Sequence, residues 1–186
     1  MTRFTRRGFV IGASAITALT AGCGNGVGST GSQEIDARVN ATMNYLFTTY
    51  PDTQDLAAKA TGILVMPLIT EAGLWVGGSY GQGALQIDGV TVDYYSATQA
   101  SVGFQIGAQQ YAHVLFFMTD EALSNFRRSP GWAAGADIQY AALENAGNLS
   151  ANTTTVSKPV VALIFGQAGL IAGASLKGTK YNRIIP

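Results

Sequence analysis

Apolar residues recur every three or four positions near the start of the folded region and predict an amphipathic helix. They are Ile35, Val39, Met43, Leu46 and Tyr50. We expect the helix to begin at Ser32, because Glu34 and Asp36 place negative charge in its first turn. Pro51 ends it. The polar face holds one basic residue, Arg38, so the apolar face is expected to pack on a sheet rather than lie on a membrane.

Two shorter helical segments are expected further along the chain. Asp52 is positioned to cap a helix that continues through Ala60. Thr119 or Asp120 can cap another short helix, which runs to about Arg128. The acidic residues at both starts are explained by capping and by the helix dipole, so they do not indicate paired catalytic carboxylates.

Elsewhere the apolar residues form short runs bounded by glycine, proline or polar turns, which is typical of strands. The predicted strands are residues 63–66, 74–76, 80–87, 90–95, 101–106, 111–118, 138–142, 160–165 and 170–176. Pro67 is expected to stop the first of them, and Asp88–Gly89 predicts a tight turn. Residues 101–106 and 111–118 are expected to pair as antiparallel strands, and residues 144–157 to form a polar loop.

Residues 111–118 predict a central strand. One face would carry Tyr111, His113, Leu115 and Phe117, and the other Ala112, Val114, Phe116 and Met118. Both faces are mostly apolar, so we expect other elements to cover both. The chain shows no internal repeat and no second hydrophobic core. The pattern therefore predicts one α+β domain, a mostly antiparallel sheet or barrel-like core with an N-terminal amphipathic helix and one further short helix.

The N-terminal residues predict an export signal. Arg6 and Arg7 precede an uncharged stretch, residues 8–22, and a twin arginine in this setting is typical of the Tat export route. The stretch is shorter than the roughly 20 apolar residues that a membrane-spanning helix needs. Cys23, the single cysteine, directly follows Ala21–Gly22, where lipid attachment requires it. The alternative is an ordinary cleaved signal with an incidental cysteine.

These features divide the chain into three parts. Residues 1–22 are the predicted signal peptide, residues 23–33 a flexible tether that begins at the lipidated cysteine, and residues 34–186 the folded domain. We expect Tat export and lipid anchoring to the cell envelope. In a Gram-negative cell an aspartate directly after the lipidated cysteine would keep a lipoprotein out of the outer membrane. Gly24 stands at that position, so we expect anchoring in the outer membrane, facing the periplasm.

Composition narrows the functional classes. The eleven basic residues equal the acidic ones in number, and three of the basic ones lie in the signal, so the mature chain has a net charge of −3 (8 − 11). Nucleic-acid binding draws its affinity from a basic surface, so no nucleic-acid partner is expected. Only 12% of residues are charged and 23 are glycines, a balance that favours a β-rich core with tight corners.

Residue patterns for catalysis and cofactors give no support to an enzyme. The glycine-rich residues 77–83 have neither the Lys-Ser/Thr ending of a phosphate loop nor the spacing of a dinucleotide fingerprint, and they suit a strand at a bend or barrel corner. His113 is the single histidine and lies between apolar neighbours, so a packed, hydrogen-bonded histidine is expected rather than a base. We therefore expect no catalytic residue, no metal and no cofactor. An enzyme would need a pocket where Asp, Glu or His113 converge.

Basic residues near the C-terminus are candidate contacts to an anionic lipid surface. Lys177, Lys180 and Arg183 lie within seven residues. At about 1 kcal/mol per basic residue near such a surface, they would assist docking without anchoring the protein.

Five segments together resemble the SYLF domain family, whose members are described as lipid-binding or actin-regulating. In chain order they are Ala60–Pro67, Ala72–Gly83, Ser101–Gln109, Phe116–Thr119 with Ala122–Phe126, and Gly169–Gly178. The resemblance spans about residues 34–183 and implies a non-catalytic binding module. Bacterial members of the family are often exported lipoproteins, in agreement with the signal.

The resemblance and the signal give two leading hypotheses. The first is a lipid-anchored envelope protein, held in the membrane by its acyl anchor, whose SYLF-like domain binds phospholipid or packs against the membrane. The second is a protein-interaction or structural module that binds an unidentified envelope protein and has no affinity for lipid. Eukaryotic relatives are associated with phosphoinositide membranes and actin through a basic N-terminal segment, whereas here Arg38 and Lys59 are the only basic residues in that segment.

Overall fold

The computed structural model describes residues 29–135, 138–140, 143–144, 148–149, 158–166, 169–170 and 176–186. The predicted signal peptide, with Arg6 and Arg7, and the lipidation site Cys23 lie outside these residues, as does most of the tether. For residues 73–76, 101–108, 143–144, 148–149 and 169–170 the description covers the backbone alone.

Three helices occur in the described part of the chain, α1 (Gly31–Thr49), α2 (Asp52–Lys59) and α3 (Asp120–Arg128). All five residues of the predicted stripe on α1 are buried, which confirms the amphipathic helix. The expected cap of α2 is wrong: Asp52 lies inside the first turn, and Pro51 precedes it without a side-chain cap. Thr119 caps α3, where its side-chain oxygen accepts a hydrogen bond from the Ala122 N–H at 3.2 Å.

One long hairpin forms most of the sheet. Its strands, β1 (Gly62–Ile87) and β2 (Val90–Phe117), are antiparallel and meet at the predicted turn, where Asp88 and Gly89 have positive φ angles of 51° and 76°. Six predicted strands thus merge into two. The expected pairing of residues 101–106 with 111–118 is wrong, because both segments belong to β2 and pair with β1.

Pro67 interrupts the ladder without ending the strand. Met66 pairs with His113 and Ile69 with Tyr111, so Pro67 and Leu68 together stand opposite the single residue Ala112. This arrangement is a β-bulge, which bends a strand and tolerates a residue that has no N–H to donate. The prediction that Pro67 stops a strand is therefore wrong, since the bulge absorbs the proline.

The hairpin curls until β1 passes close to its own beginning. An ideal Cβ at Gly83 would overlap the Val65 carbonyl oxygen and lie 2.6 Å from the Met66 sulfur. One at Gly81 would overlap the Leu68 carbonyl oxygen. Only glycine permits an approach this close. The predicted role of the glycine-rich residues, a bend or barrel corner, is confirmed at these two positions.

Seven further short strands complete the described sheets. They are β3 (Trp132–Ala133), β4 (Ile138–Tyr140), β5 (Leu143–Glu144), β6 (Asn148–Leu149), β7 (Val160–Gly166), β8 (Gly169–Leu170) and β9 (Lys180–Ile184). The main sheet has the order β3-β9-β2-β7-β4, with β1 on β2 and β8 on β7, and β5 pairs with β6 separately. Among the strand pairs that the structure describes, only β4 and β7 are parallel.

Several of these strands differ from the prediction. β3 and β9 were absent from the predicted strands, and β6 lies within the predicted polar loop. Of the predicted strand 170–176, residue 170 belongs to β8, residue 176 lies outside any strand, and residues 171–175 are outside the described part of the chain, as is Ala142. The fold class is confirmed: one α+β domain with a mostly antiparallel, curled sheet.

Apolar side chains fill both faces of the sheet. The helix-side layer joins the α1 stripe to Val65, Val114, Phe116, Val161 and Leu163. The inner layer lies within the curl and contains Leu64, Leu115, Phe117, Phe126 and Tyr181. The two faces assigned to residues 111–118 are thus confirmed, whereas the expectation of no second hydrophobic core is wrong because the sheet divides the core in two.

Hydrogen bonds fix the start of α1 against the sheet. The Asp36 carboxylate accepts a bond from the Thr91 hydroxyl at 2.9 Å and another from the Tyr94 hydroxyl at 2.8 Å. Burial and this carboxylate together raise the pKa of Tyr94. Just before the helix, the Ser29 hydroxyl donates to the Pro186 carbonyl oxygen at 2.7 Å. The position of α1 is therefore set by polar contacts as well as by its apolar stripe.

We expect Gly83→Ala to lower the free energy of unfolding by about 3 kcal/mol, because the added methyl group meets backbone that cannot move aside. Urea denaturation of the purified domain measures the change. The control is Gly135→Ala, where an added Cβ has no atom within 4 Å and the expected change is within about 0.5 kcal/mol. Equal stability of both variants would contradict the close crossing.

Candidate functional site

His113 lies in the middle of β2 and is fully buried. Its Nε2 atom is 2.8 Å from the Tyr181 hydroxyl, and the two rings meet edge to face at 5.7 Å. Burial lowers the pKa of His113 from 6.5 to about 3 and raises that of Tyr181 well above its usual value. The imidazole is thus a neutral, packed group, as expected from its apolar neighbours.

A shallow groove runs along the outer side of α1. It has a volume of about 450 Å³. Ten residues from α1, β1, β2 and β7 line it: Ala41, Thr42, Tyr45, Pro67, Leu68, Gln110, Tyr111, Ala112, Phe165 and Gly166. None of these residues is charged, and the lining is mainly apolar. We call this feature the α1 groove.

The β-bulge and one aromatic pair shape the α1 groove. Pro67 and Leu68 form one wall because the bulge pushes them out of the ladder. Leu68 is consequently 37% exposed, although Met66 and Ile69 on either side of the bulge are buried. On the opposite wall Tyr45, 41% exposed, stacks on Phe165 with ring centroids 5.9 Å apart. Large apolar surface is thus exposed on both sides of the groove.

A second depression lies between α1, α2 and the hairpin turn, with a volume of about 500 Å³. Its lining includes Asn40, Asn44, Gln86 and Asp88. These amide and carboxylate groups suit water or a polar ligand. The α1 groove is therefore the better candidate for an apolar ligand.

The predicted anionic-lipid contacts do not form one patch. Lys180 and Arg183 are three residues apart on β9, so they point to opposite faces of the sheet. Arg183 donates to the Asp93 carboxylate at 3.1 Å, and Arg127 contacts the same oxygen at 3.3 Å. Lys177 lies before β9, where its carbonyl oxygen accepts a bond from Gln99 at 3.1 Å. The sequence pattern of basic residues did not indicate that Arg127 and Arg183 both pair with Asp93.

A metal site would need clustered ligands. In the part of the chain that the structure describes, no three His, Cys, Asp or Glu residues lie close enough together to hold a metal ion. Of the described helices, none combines the length and the apolar character required to cross a membrane.

A known family resembles the chain from within β2 almost to its last residues. Residues 98–183 match the family model Ysc84, described as Las17-binding protein actin regulator. Over these residues the match supports the resemblance to the SYLF domain family. The matched residues contain three of the five motif segments, namely those that begin at Ser101, Phe116 and Gly169. No curated protein matches the chain.

The match covers part of the α1 groove. Its β2 and β7 walls lie within the matched residues, whereas α1 and the Pro67–Leu68 bulge precede them. Sequence reasoning missed the groove, because its walls come from four elements that are distant in the chain. The one local signal was a proline inside a strand pattern, at Pro67.

We expect the folded domain to lose stability as the pH falls from about 6.5 towards 3, because unfolding lets His113 take up a proton that the native core excludes. Above about pH 6.5 His113 is unprotonated in both the native and the unfolded state. Its contribution to the free energy of unfolding therefore does not change with pH in that range. Urea denaturation at several pH values measures the free energy of unfolding. The contribution of His113 to its decrease can reach several kcal/mol.

The matched variant is His113→Gln, which can keep a hydrogen bond to Tyr181 but does not titrate. The carboxylates contribute equally to both proteins, so the difference between the two pH profiles isolates His113. Parallel profiles from pH 7 to pH 3 would show that this buried imidazole does not control acid stability.

Proposed function

We propose that this chain is a non-catalytic, lipid-anchored protein of the cell envelope whose SYLF domain binds lipid. In this proposal Arg6 and Arg7 direct export through the Tat route, and acyl chains on Cys23 hold the mature protein in the membrane. The uncharged α1 groove, with exposed apolar residues on both walls, is the observation that carries the lipid-binding function. Association of the SYLF family with lipid binding supports it.

The tether keeps the domain near its anchor. Six peptide steps separate Cys23 from Ser29, and a chain extends by at most about 3.6 Å per residue, so the domain begins within about 22 Å of the acylated cysteine. A single acyl chain attaches a protein only marginally, whereas two or more make attachment stable. The anchor therefore determines location, and the domain acts on lipid within its reach.

The family description names Las17 binding and actin regulation. An exported envelope protein does not share a compartment with cytoplasmic actin, so lipid is the ligand that the proposal retains. The non-catalytic part of the proposal is supported by His113, the single histidine, which is buried, neutral and bonded to Tyr181 rather than open to a substrate.

The second candidate function is a protein-interaction module of the envelope. Tyr45 favours it, because an exposed tyrosine stacked on another ring is typical of protein interfaces. The two functions differ in one observable property, since a module of this kind has no affinity for protein-free liposomes.

We expect Cys23→Ala to move the exported protein from the membrane fraction to the soluble fraction and to abolish labelling by a radioactive fatty acid. Cell fractionation measures both changes. In the control, Arg6→Lys with Arg7→Lys, the protein keeps its cysteine but accumulates unprocessed in the cytoplasm. A Cys23→Ala protein that stays in the membrane fraction would contradict the acyl anchor.

The mature Cys23→Ala domain is expected to sediment with liposomes of neutral and of anionic phospholipid. Because the α1 groove is uncharged, this binding persists at physiological salt. Variants Lys177→Ala, Lys180→Ala and Arg183→Ala are expected to change it less than twofold at that salt. Absence of binding to every liposome would refute the lipid-binding function and leave the protein-interaction module.

A further inference from the structure

We infer that the α1 groove holds a single acyl chain withdrawn from a lipid molecule, while the lipid headgroup stays in water. This inference rests on the proposed lipid-binding function and specifies how the lipid is bound. It differs from docking of the domain on an intact bilayer surface, because the ligand is one molecule in one site. Size, charge and wall structure of the groove support it.

The size of the groove fits a small flexible ligand. Its volume of about 450 Å³ lies within the range of roughly 300–1,000 Å³ that small-molecule sites occupy. Ten residues line it, whereas a stable protein interface uses about 20–30 residues on each side. The groove is therefore too small to be the whole of a stable protein interface, and an acyl chain is narrow enough to lie along it.

The chemistry of the lining separates the two parts of a lipid. No charged side chain lines the groove to pair with a phosphate, and a charge moved out of water without a partner is strongly disfavoured. The polar side chains of the lining, such as Thr42 and Gln110, are neutral. An acyl chain needs no polar partner and gains from contact with Leu68, Tyr45 and Phe165.

The walls of the groove are held in place before any ligand arrives. Asp36 ties α1 to β2 through Thr91 and Tyr94, and the bulge fixes Leu68 opposite Ala112. A preformed groove loses little freedom when a ligand enters, which favours binding.

The distance of the groove from the lipid anchor is also suitable. Ala41 lies ten residues after Gly31 on α1, which is about 15 Å along the helix axis, so membrane lipid is within reach.

The test uses the mature Cys23→Ala domain and a dansyl-labelled C11 fatty acid kept below its micellar concentration. Fluorescence titration is expected to show one saturable site per domain. Unlabelled palmitate and lysophosphatidylcholine should displace the probe, because both carry a single acyl chain. Glycerol phosphate, which has a headgroup but no chain, should leave the probe bound.

Two variants of different chemistry target the walls. Leu68→Asp places a charge in the groove, and Ala41→Trp fills it from an exposed helix position; each is expected to weaken probe binding at least tenfold. Val92→Asp is the matched control. Val92 is the unpaired residue of another bulge in the same hairpin, between the pairs Leu85–Asp93 and Gln86–Thr91, and is 41% exposed outside the groove. Its binding should equal that of the unmodified domain.

The outcomes separate this inference from the function on which it rests. Saturable binding that both wall variants lose and Val92→Asp keeps supports the acyl-chain site. No saturable binding of the probe, together with sedimentation on liposomes, overturns the site but leaves lipid binding standing. Equal weakening by Val92→Asp, or full binding by Ala41→Trp when circular dichroism shows a native fold, also overturns it. Failure of both probe and liposomes removes the function itself.

Discussion

The close passage of β1 over its own beginning is the constraint on which the rest of this domain depends. Gly81 and Gly83 allow the strand to approach the carbonyl oxygens of Leu68 and Val65 more closely than any side chain would permit. Without that approach the hairpin would open into a flat ribbon with one face exposed. With it, one face turns inward to form the inner layer and the other receives α1. Both hydrophobic layers are therefore consequences of one backbone crossing.

The crossing also braces the α1 groove. Gly81 lies directly against the backbone of Leu68, the residue that the bulge exposes on the groove wall. Aromatic rings fill the enclosed side, where Phe126 packs on Phe117 at 4.8 Å and on Trp132 at 5.3 Å between centroids. The helix is fixed independently through Asp36. A rigid strand on one side and a tied helix on the other keep the groove open without a ligand.

The sequence allowed accurate prediction of elements whose partners are near in the chain. Every residue of the α1 stripe is buried as expected, and the Asp88–Gly89 turn has the backbone angles that its residues favour. The strand boundaries predicted from glycine and from Pro67 were misleading. Residues that end an isolated strand also permit bulges and bends within a long one. The continuity of β1 and β2 is decided by pairing over their whole length, which no local pattern reports.

Contacts between side chains that are far apart in the sequence could not be predicted either. Arg183 as a lipid contact stays a prediction, but the sequence did not indicate its salt bridge to Asp93, 90 positions earlier in the chain. The α1 groove likewise joins four elements that have no common motif. Burial of His113, in contrast, followed from its immediate neighbours. Local polarity therefore indicates whether a residue is buried but not which distant residue it meets.

The bulge at Pro67 has a consequence for the free side of β1. Among the described strands, β1 is hydrogen-bonded to β2 alone, so its outer side carries backbone groups that a strand from another molecule could meet. The bulge at Pro67 and Leu68 and the curl of the strand interrupt the straight row of backbone groups that edge-to-edge pairing requires. The irregularity that shapes the groove is thus of the kind that disfavours edge-to-edge association between strands.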